Sequence, residues 1–369
     1  MATDTKKRAS KKPKKKIDWV LGIDLGNGMV KVRAFNKKTG KPYILTIPSA
    51  WAFLKDIGEN VTKNVLELDT YWIEDKETAY VWGEDIAKVS SGSLKSTYGL
   101  DNRYQTDAFK IMVKIVLARL ASDLGIVATD KVLVVTGVPS EETGTVSEEH
   151  IAEAFAGVHT LDIKRFGSDE DVPVVIKVDK VEVMPQATSA VIGRYLDEDG
   201  YVADEDYEVM TVGVIDIGAG TTDLDVIKDL RRLAGFKSIK KGYRIVYNSI
   251  RKEIKRTHPS HVVSDYILLD ALETCKYTPS KRGKEIDITQ ARNEGIDELV
   301  IEIQQAVTSE WSDHVNMDEV LLIGASAEGF EERLENVITG LTIPENPELS
   351  NVEGYYRWGM FLTLEDDDE

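Results

Sequence analysis

Cysteine is nearly absent: Cys275 is the one thiol among 369 residues. No disulfide can form within the chain, so the fold must be held by its core and not by staples. Long apolar runs are missing too. The richest stretch, Ile111 to Leu120, is interrupted by Lys114 and Arg119 and falls short of the ~20 residues that span a membrane. With no signal peptide recognised, the expected setting is a reducing cytoplasm, without direct membrane association. Histidine is scarce. Of five, His258 and His261 are close, but Pro259 between them breaks helical spacing, so no histidine-based metal site is expected. Neither the P-loop pattern Gly-x4-Gly-Lys-[Ser/Thr] nor the dinucleotide pattern Gly-x-Gly-x-x-Gly occurs, and no Ser/His/Asp set stands out.

Basic charge is short as well: 46 Lys and Arg face 64 Asp and Glu, for a net charge of −18. The basic residues are unevenly spread. Lys6, Lys7, Arg8, Lys11, Lys12, Lys14, Lys15 and Lys16 face a single acid, Asp4. Residues 1–16 therefore carry +7, and the rest of the chain, by difference from −18, carries −25. So acidic a body does not offer nucleic acid a broad surface. The basic arm is either a solvated, disordered tail or a contact for DNA or another acidic surface. Glu365 to Glu369 form an acidic tail at the other end.

What is present suggests two domains, at roughly 150 residues each. An apolar run, Val20 to Ile23, ends at Asp24-Leu25-Gly26-Asn27-Gly28, and apolar character resumes from Met29. Two or three antiparallel strands joined by hairpins are expected here. Residues 50 to about 103 are irregular and read as a small inserted subdomain. Ala108, Ile111, Met112, Ile115, Val116 and Leu120 follow helical spacing. Lys131 to Val138 reads as a buried strand, Val172 to Val183 as alternating strands, Gln186 to Leu196 as a helix, and Asp197 to Glu208 as an acidic loop. The opening pattern then recurs: Val212 to Ile217 leads into Gly218-Ala219-Gly220-Thr221-Thr222-Asp223 and a strand from Leu224 to Ile227. Two near copies of Ile-Asp-x-Gly-x-Gly, one domain apart, suggest two lobes on one plan. A further helix is expected over Ile296 to Trp311, and a strand over Val320 to Ile323.

The chemistry of such a hairpin is direct. Glycines let the chain turn sharply and approach an anion, and the freed N–H groups cradle phosphate oxygens. An aspartate at the strand end suits Mg2+, which keeps much of its water. One copy is an ordinary β-turn; two copies in separate lobes point to a phosphate clamped from both sides.

These stretches resemble the motifs of the actin-like ATPase superfamily. Asp24-Leu25-Gly26-Asn27-Gly28-Met29-Val30-Lys31 is similar to its first phosphate motif, and Asp216 to Asp223 to the second. Leu321-Leu322-Ile323-Gly324-Ala325-Ser326-Ala327 resembles the adenosine motif, with Ala325 where a second glycine is usual. Val183 to Ala190 looks like the connecting helix, and Glu273-Thr274-Cys275-Lys276 like the Glu-x-x-Lys pair that meets ribose and adenine. Within the superfamily the likeness is strongest to ParM-type plasmid-segregation proteins of bacteria.

The resemblance implies an α/β, actin-like (ribonuclease H-like) two-lobed fold with a nucleotide cleft between related domains. It implies ATP, or GTP, with Mg2+. Asp24 and Asp216 would organise the metal through water. Gly26, Asn27, Gly28 and Lys31 would hold phosphates from one lobe, and Gly218, Ala219, Gly220, Thr221 and Thr222 from the other. Glu273, Lys276, Gly324, Ala325 and Ser326 would lie along ribose and adenine. Gln186 takes the slot of the water-orienting residue. Alternatives stay open: Lys31 as a surface strand lysine, Glu273 and Lys276 as one face of an amphipathic helix, Gly324 as a strand-to-helix turn, and Gln186 as a helix-starting residue after Pro185.

The expected organisation is a basic arm over 1–16, domain I over 17–200 with the insertion at about 50–103, and domain II over 201–340. Residues 341–369 would return to domain I. The function implied is a filament-forming ATPase whose partners are copies of itself and a DNA-bound adaptor. A sugar or metabolite kinase is the alternative, but it needs a carboxylate base beside its acceptor, and Gln186 stands in that slot. A chaperone ATPase would need a substrate-binding domain beyond the adenosine motif.

Overall fold

The computed structural model describes residues 17–58, 66–73, 76–98, 102–235, 237–279, 283–311, 316–324 and 327–367. The basic arm 1–16, Ala325 and Ser326 lie outside the described residues, and so does the side chain of Glu273.

The first lobe begins with the meander β1 (Trp19–Leu25), β2 (Met29–Asn36) and β3 (Lys41–Pro48). Short strands β4 (Ala50–Phe53), β5 (Asp69–Ile73), β6 (Ala79–Trp82) and β7 (Lys95–Ser96) follow, then α1 (Asp107–Leu124), β8 (Val132–Val138), α2 (Val146–Phe155), β9 (Gly157–Lys164) and β10 (Val172–Pro185). The helix α3 (Gln186–Tyr195) leads towards the second lobe.

Every residue of β1 is buried. A strand without alternation must be covered on both faces. It lies between β2, antiparallel, and β8, parallel, in a ten-stranded sheet ordered β3-β2-β1-β8-β10-β9-β5-β6-β4-β7. Within the segment read from sequence as a small inserted subdomain, β4, β5, β6 and β7 extend this same sheet. Their aromatics pack among themselves, Trp51 edge-on to both Phe53 and Tyr80 at 5.2 Å between ring centroids. The expected strands of 172–183 form one long strand, β10. A bulge between Val178 and Lys180 separates the half paired with β9 from the half paired with β8. Helix α1 starts on the hydroxyl of Thr106, which accepts from the Phe109 N–H at 3.3 Å. It stops at Gly125 in the left-handed region. Its one buried cation, Arg119, is held by Asp69, Glu84 and Asp123 at 2.8–2.9 Å, as a buried charge requires.

The second lobe repeats the opening plan. Strand β11 (Thr211–Ile217) pairs antiparallel with β12 (Thr222–Lys228). After it come β13 (Arg231–Arg232), β14 (Lys237–Ile239), α4 (Arg244–Thr257), α5 (Asp265–Thr274), β15 (Lys276–Tyr277), β16 (Ile286–Asp287), α6 (Thr289–Glu310) and β17 (Glu319–Gly324). The last pairs parallel with β11, as β8 does with β1. The sheet runs β13-β12-β11-β17-β18, where β18 is Leu341–Thr342, and β14 pairs with β12. Helix α4 buries Val246, Tyr247, Ile250 and Ile254, the helical spacing of one apolar face. A short α7 (Glu331–Leu334) precedes β18, and α8 (Ser350–Asp367) ends the described chain.

Helices α3 and α8 join the lobes. Buried Val352, Tyr355 and Tyr356 of α8 cluster with Val20, Leu133 and Val135 of the first sheet and Ile192 of α3. Ala187, Ala190 and Val191 of α3 face Val212, Val214, Leu321 and Ile323 of the second sheet. The two helices cross at backbone contact. A β-carbon on Gly354 would stand 1.7 Å from the Ser189 carbonyl oxygen, so only glycine permits this crossing.

Candidate functional site: a cleft between two matching turns

Both Asp-x-Gly-x-Gly segments fold into the same closed turn. The Gly26 N–H donates to the Met29 carbonyl at 3.1 Å, and the Gly218 N–H to the Thr221 carbonyl at 2.9 Å. Each turn follows a central strand, so each points out of the end of its sheet. The two ends face one another across a cleft. A β-carbon on Gly28 would lie 3.2 Å from the Ala219 β-carbon, so the tips of the turns nearly touch.

Asp24, Gly26, Asn27, Gly28, Lys31, Gln186, Asp216, Gly218, Ala219, Gly220, Thr221 and Gly324 line this cleft together. Asp24 and Asp216 stand at equivalent places and are 7% and 8% exposed. Burial pushes both carboxyls above their ordinary range; Lys31 opposes this at both, and Arg103 also does so at Asp24. The Asn351 amide, from α8, donates to Asp216 at 2.8 Å. Gly324 has φ of +96°, and a β-carbon there would meet the Ile217 carbonyl at 2.3 Å, so the chain turns there against the second phosphate motif. Thr222 is placed differently from its neighbours: it is buried, and its hydroxyl donates to the Lys241 carbonyl at 3.0 Å. Lys276 is exposed at the strand β15 and pairs with Glu285 at 3.1 Å, away from the residues lining the cleft.

Arg103, Tyr104 and Asn351 line the cleft without a signal in the sequence motifs, and Asp223, inside the second motif, lines it without having been assigned a role. Asp223 is opposite Asp216 across the β11–β12 pair, so the two side chains share a face, and Asp225 follows two residues on. Burial, with Asp216, Asp225 and Glu141 nearby, pushes Asp223 up to about 7 against a hydrogen bond from Ser238. Its position in the second motif was the available signal. Arg103 and Asn351 come from distant segments with no spacing to mark them.

The lobes are tied on both sides of the cleft. Ser140, after β8, donates to the fully buried Asp225, and Arg232 binds both Asp225 (2.6 Å) and the Ser140 carbonyl (3.0 Å). Lys240 pairs with Glu141 at 2.5 Å. The Arg244 guanidinium lies 3.1 Å from the centre of the Tyr98 ring. Buried polar atoms without partners gather at the cleft: Asp223 Oδ1, Asn351 Oδ1 and Arg103 Nε. Orphaned groups beside glycine turns and carboxylates fit a polar, anionic ligand with a cation better than an apolar one.

Comparison with known proteins agrees with this architecture. The family of actin-like proteins, N-terminal domain, matches residues 22–189, and the archaeal actin homologue MreB-like, C-terminal family matches residues 214–336. No curated protein matches in sequence. Among solved structures, the apo psk41 ParM protein has a TM-score of 0.70 at 20% identity, covering 95% of this chain and 99% of its own. The archaeal actin homologue Ta0583, solved with ADP, has a TM-score of 0.70 at 19% identity, covering 91% and 97%. A 15-stranded ParM filament from Clostridium botulinum gives 0.67 at 19% identity, covering 93% and 99%. Two lobes of one plan around a cleft of paired phosphate-type turns define an actin-like fold. The chain belongs to the actin-like protein superfamily.

Proposed function

We propose that this protein is an ATPase that binds ATP with Mg2+ between its lobes and assembles with copies of itself into filaments, working in the cytoplasm. The observation that carries this reading is the pair of identical turns brought tip to tip, each with a buried aspartate behind it. The ADP complex of the archaeal homologue and the filament formed by a ParM relative support it.

Asp24 and Asp216 would hold Mg2+ through its waters; the cation supplies the positive charge that phosphate oxygens need as they approach one another. Both carboxyls are held up by burial, so a cation restores their ionised form. The N–H groups of Gly26, Asn27 and Gly28, with Lys31, would bind phosphates from the first lobe, and Gly218, Ala219, Gly220 and Thr221 from the second. Thr222 would contribute through its backbone alone, its hydroxyl being bound to Lys241. Gln186 begins α3 at the cleft and has no acid–base chemistry near neutral pH. Its role would be to fix a water towards the terminal phosphate, in a reaction governed by positioning and charge. Gly324, with Ala325 and Ser326 after it, would lie along the adenosine; Glu273 and Lys276 would meet ribose or adenine, Lys276 only after it leaves Glu285.

Closure on ATP would favour assembly, and hydrolysis would loosen it, as in other two-lobe elements biased by a terminal phosphate. Segregation of plasmid DNA through a DNA-bound adaptor is the use this reading favours, with the arm 1–16 as a salt-sensitive contact to DNA or to neighbouring filaments. The test is light scattering and phosphate release on one sample, with ATP, GTP or ADP and with Mg2+ or EDTA. Polymer and phosphate should both appear with a nucleoside triphosphate and Mg2+. Phosphate transfer to an added sugar without polymer would replace this reading with a kinase.

A further inference from the structure

Arg103 reaches the cleft from the far end of the segment 50–103. The preceding Asn102 sits in the left-handed region, at φ 51°, and turns the chain so that the arginine doubles back on the first phosphate turn. Its guanidinium rests over Tyr104 and Phe109, 5.4 and 5.3 Å from the ring centres. One terminal nitrogen donates to Asn27 Oδ1 at 2.9 Å and the other to the Leu25 carbonyl at 2.5 Å. The partners are the last residue of β1 and the turn that follows it.

Arginine has donors and no acceptor. An asparagine facing it must therefore offer its carbonyl oxygen, and the amide NH2 must point the other way. The usual ambiguity in asparagine orientation is removed by the partner's chemistry. Asn27 stands at the tip of the turn, beside Gly28, where the two turns nearly touch. A group donated there meets whatever both tips clasp. Leu25, the second anchor, fixes the backbone immediately before Gly26, so the same arginine sets the turn and its side chain.

We infer that Arg103 is a positioning residue for the terminal phosphate: it locks the Asn27 amide with its NH2 towards the cleft. This rests on the reading of the cleft as an ATP site. It also ties the segment 50–103 to the state of the nucleotide, because the arginine's anchor points lie in the turn that holds the phosphates. Charge-assisted hydrogen bonds of this kind discriminate strongly when one partner is lost.

The experiment measures ATP and ADP affinities by calorimetry, with Mg2+, for the full chain and for Arg103→Met, Arg103→Lys, Asn27→Ala and the double variant Asn27→Ala/Arg103→Met. Arg103→Met should weaken ATP by about tenfold or more and ADP by no more than about threefold. Arg103→Lys keeps the charge but not the two-pronged hold, and should fall between wild type and Arg103→Met. In the Asn27→Ala background, loss of Arg103 should change the ATP-to-ADP ratio by less than about twofold, because the amide it orients is gone. Equal weakening of both nucleotides, or a full effect of Arg103→Met without Asn27, would make the arginine a structural brace and overturn the inference. If Arg103→Met fails to fold, Arg103→Lys and Asn27→Ala decide by the same ratio. A wild-type chain that binds neither nucleotide would instead overturn the ATP reading, and this inference with it.

Discussion

Asp223→Asn should stabilise the nucleotide-free and metal-free protein, and the gain should grow with pH. Asp223 is buried on one face with Asp216 and Asp225, and its carboxylate is met by uncharged hydroxyls: Ser238 donates to it and Thr221 lies at 3.4 Å from Oδ2. Its folded pKa is pushed up to about 7 from the ordinary 3.8. For a carboxyl raised in this way, the folded state holds its proton while the unfolded state has lost it. Its contribution to stability is therefore greatest below pH 4 and is lost as pH rises through 7. Linkage gives a loss of about 4 kcal/mol over the whole window, of which about 2.5 kcal/mol falls between pH 5 and pH 8. Asparagine has the same shape and no charge to desolvate, and its NH2 finds carboxylate acceptors in Asp216 and Asp225. Urea unfolding in EDTA at pH 5, 6.5 and 8 measures the difference between variant and wild type, in which the titrations of other groups largely cancel. A difference that rises by about 2 kcal/mol or more from pH 5 to pH 8 is expected. A difference that stays flat, or falls, would refute the argument that this face is short of positive charge.

The other predictions concern the same cleft. Asp216→Ala should abolish Mg2+-dependent phosphate release with the fold intact, because phosphate charge loses its compensation; release at the wild-type rate would remove Asp216 from the site. Gln186→Ala should bind ATP and polymerise but release phosphate about 100-fold more slowly, as loss of a positioning group does. Filaments that turn over on the wild-type schedule would count against Gln186. Arg232→Ala leaves Asp225 buried beside Ser140 without its cation, which costs about 3–5 kcal/mol in a closed site. The lobes should therefore open, and small-angle X-ray scattering of the nucleotide-free variant should show a larger radius of gyration; an unchanged radius would mean that the contact does not hold the lobes together.

Much of the fold was legible because its signals are local. The two turn motifs are consecutive residues with a backbone reason for each glycine, and the strands before them are unbroken apolar runs. The helix α1 showed its spacing in Ile111, Met112, Ile115 and Val116. The strands within 50–103 were not legible, because they are short and their aromatics pack on one another, so no alternation marks the sheet they extend. Thr222 shares a motif with phosphate-side residues, yet strand alternation turns its hydroxyl to Lys241. Arg103, Asn351 and Asp225 were not legible as site residues. Each acts through a contact between segments far apart: Arg103 with Asn27 across 76 positions, Asp225 with Ser140 across 85, and Asn351 with Asp216 across 135. No spacing rule links such pairs before the lobes are assembled.

The arrangement of charge explains why the lobes and the ligand would depend on each other. The second lobe presents Asp216, Asp223 and Asp225 on one face, and the first lobe adds Asp24. The cations that answer them are Lys31, whose charge acts on Asp24 and Asp216, Arg103, whose charge acts on Asp24, and Arg232, paired with Asp225. Asp225 is matched by Arg232 and is satisfied when Ser140 of the first lobe closes on it. Among the described residues, Asp216 is met by the Asn351 amide and the field of Lys31, and Asp223 is left short. Closing the cleft without a ligand therefore concentrates carboxylates in a low-dielectric space, where each unmatched charge is disfavoured. A cation between Asp24 and Asp216, balanced by phosphates on the glycine turns, would reverse the sign of that interaction. Because α3 and α8 meet at backbone contact through Gly354, a closing motion would carry Gln186 at the start of α3 and Asn351 near the start of α8 together. Under the proposed reading, the ligand's charge and the helix crossing would bias one equilibrium, open against closed, and a free-energy difference of a few kcal/mol between those states would be enough for nucleotide to set it.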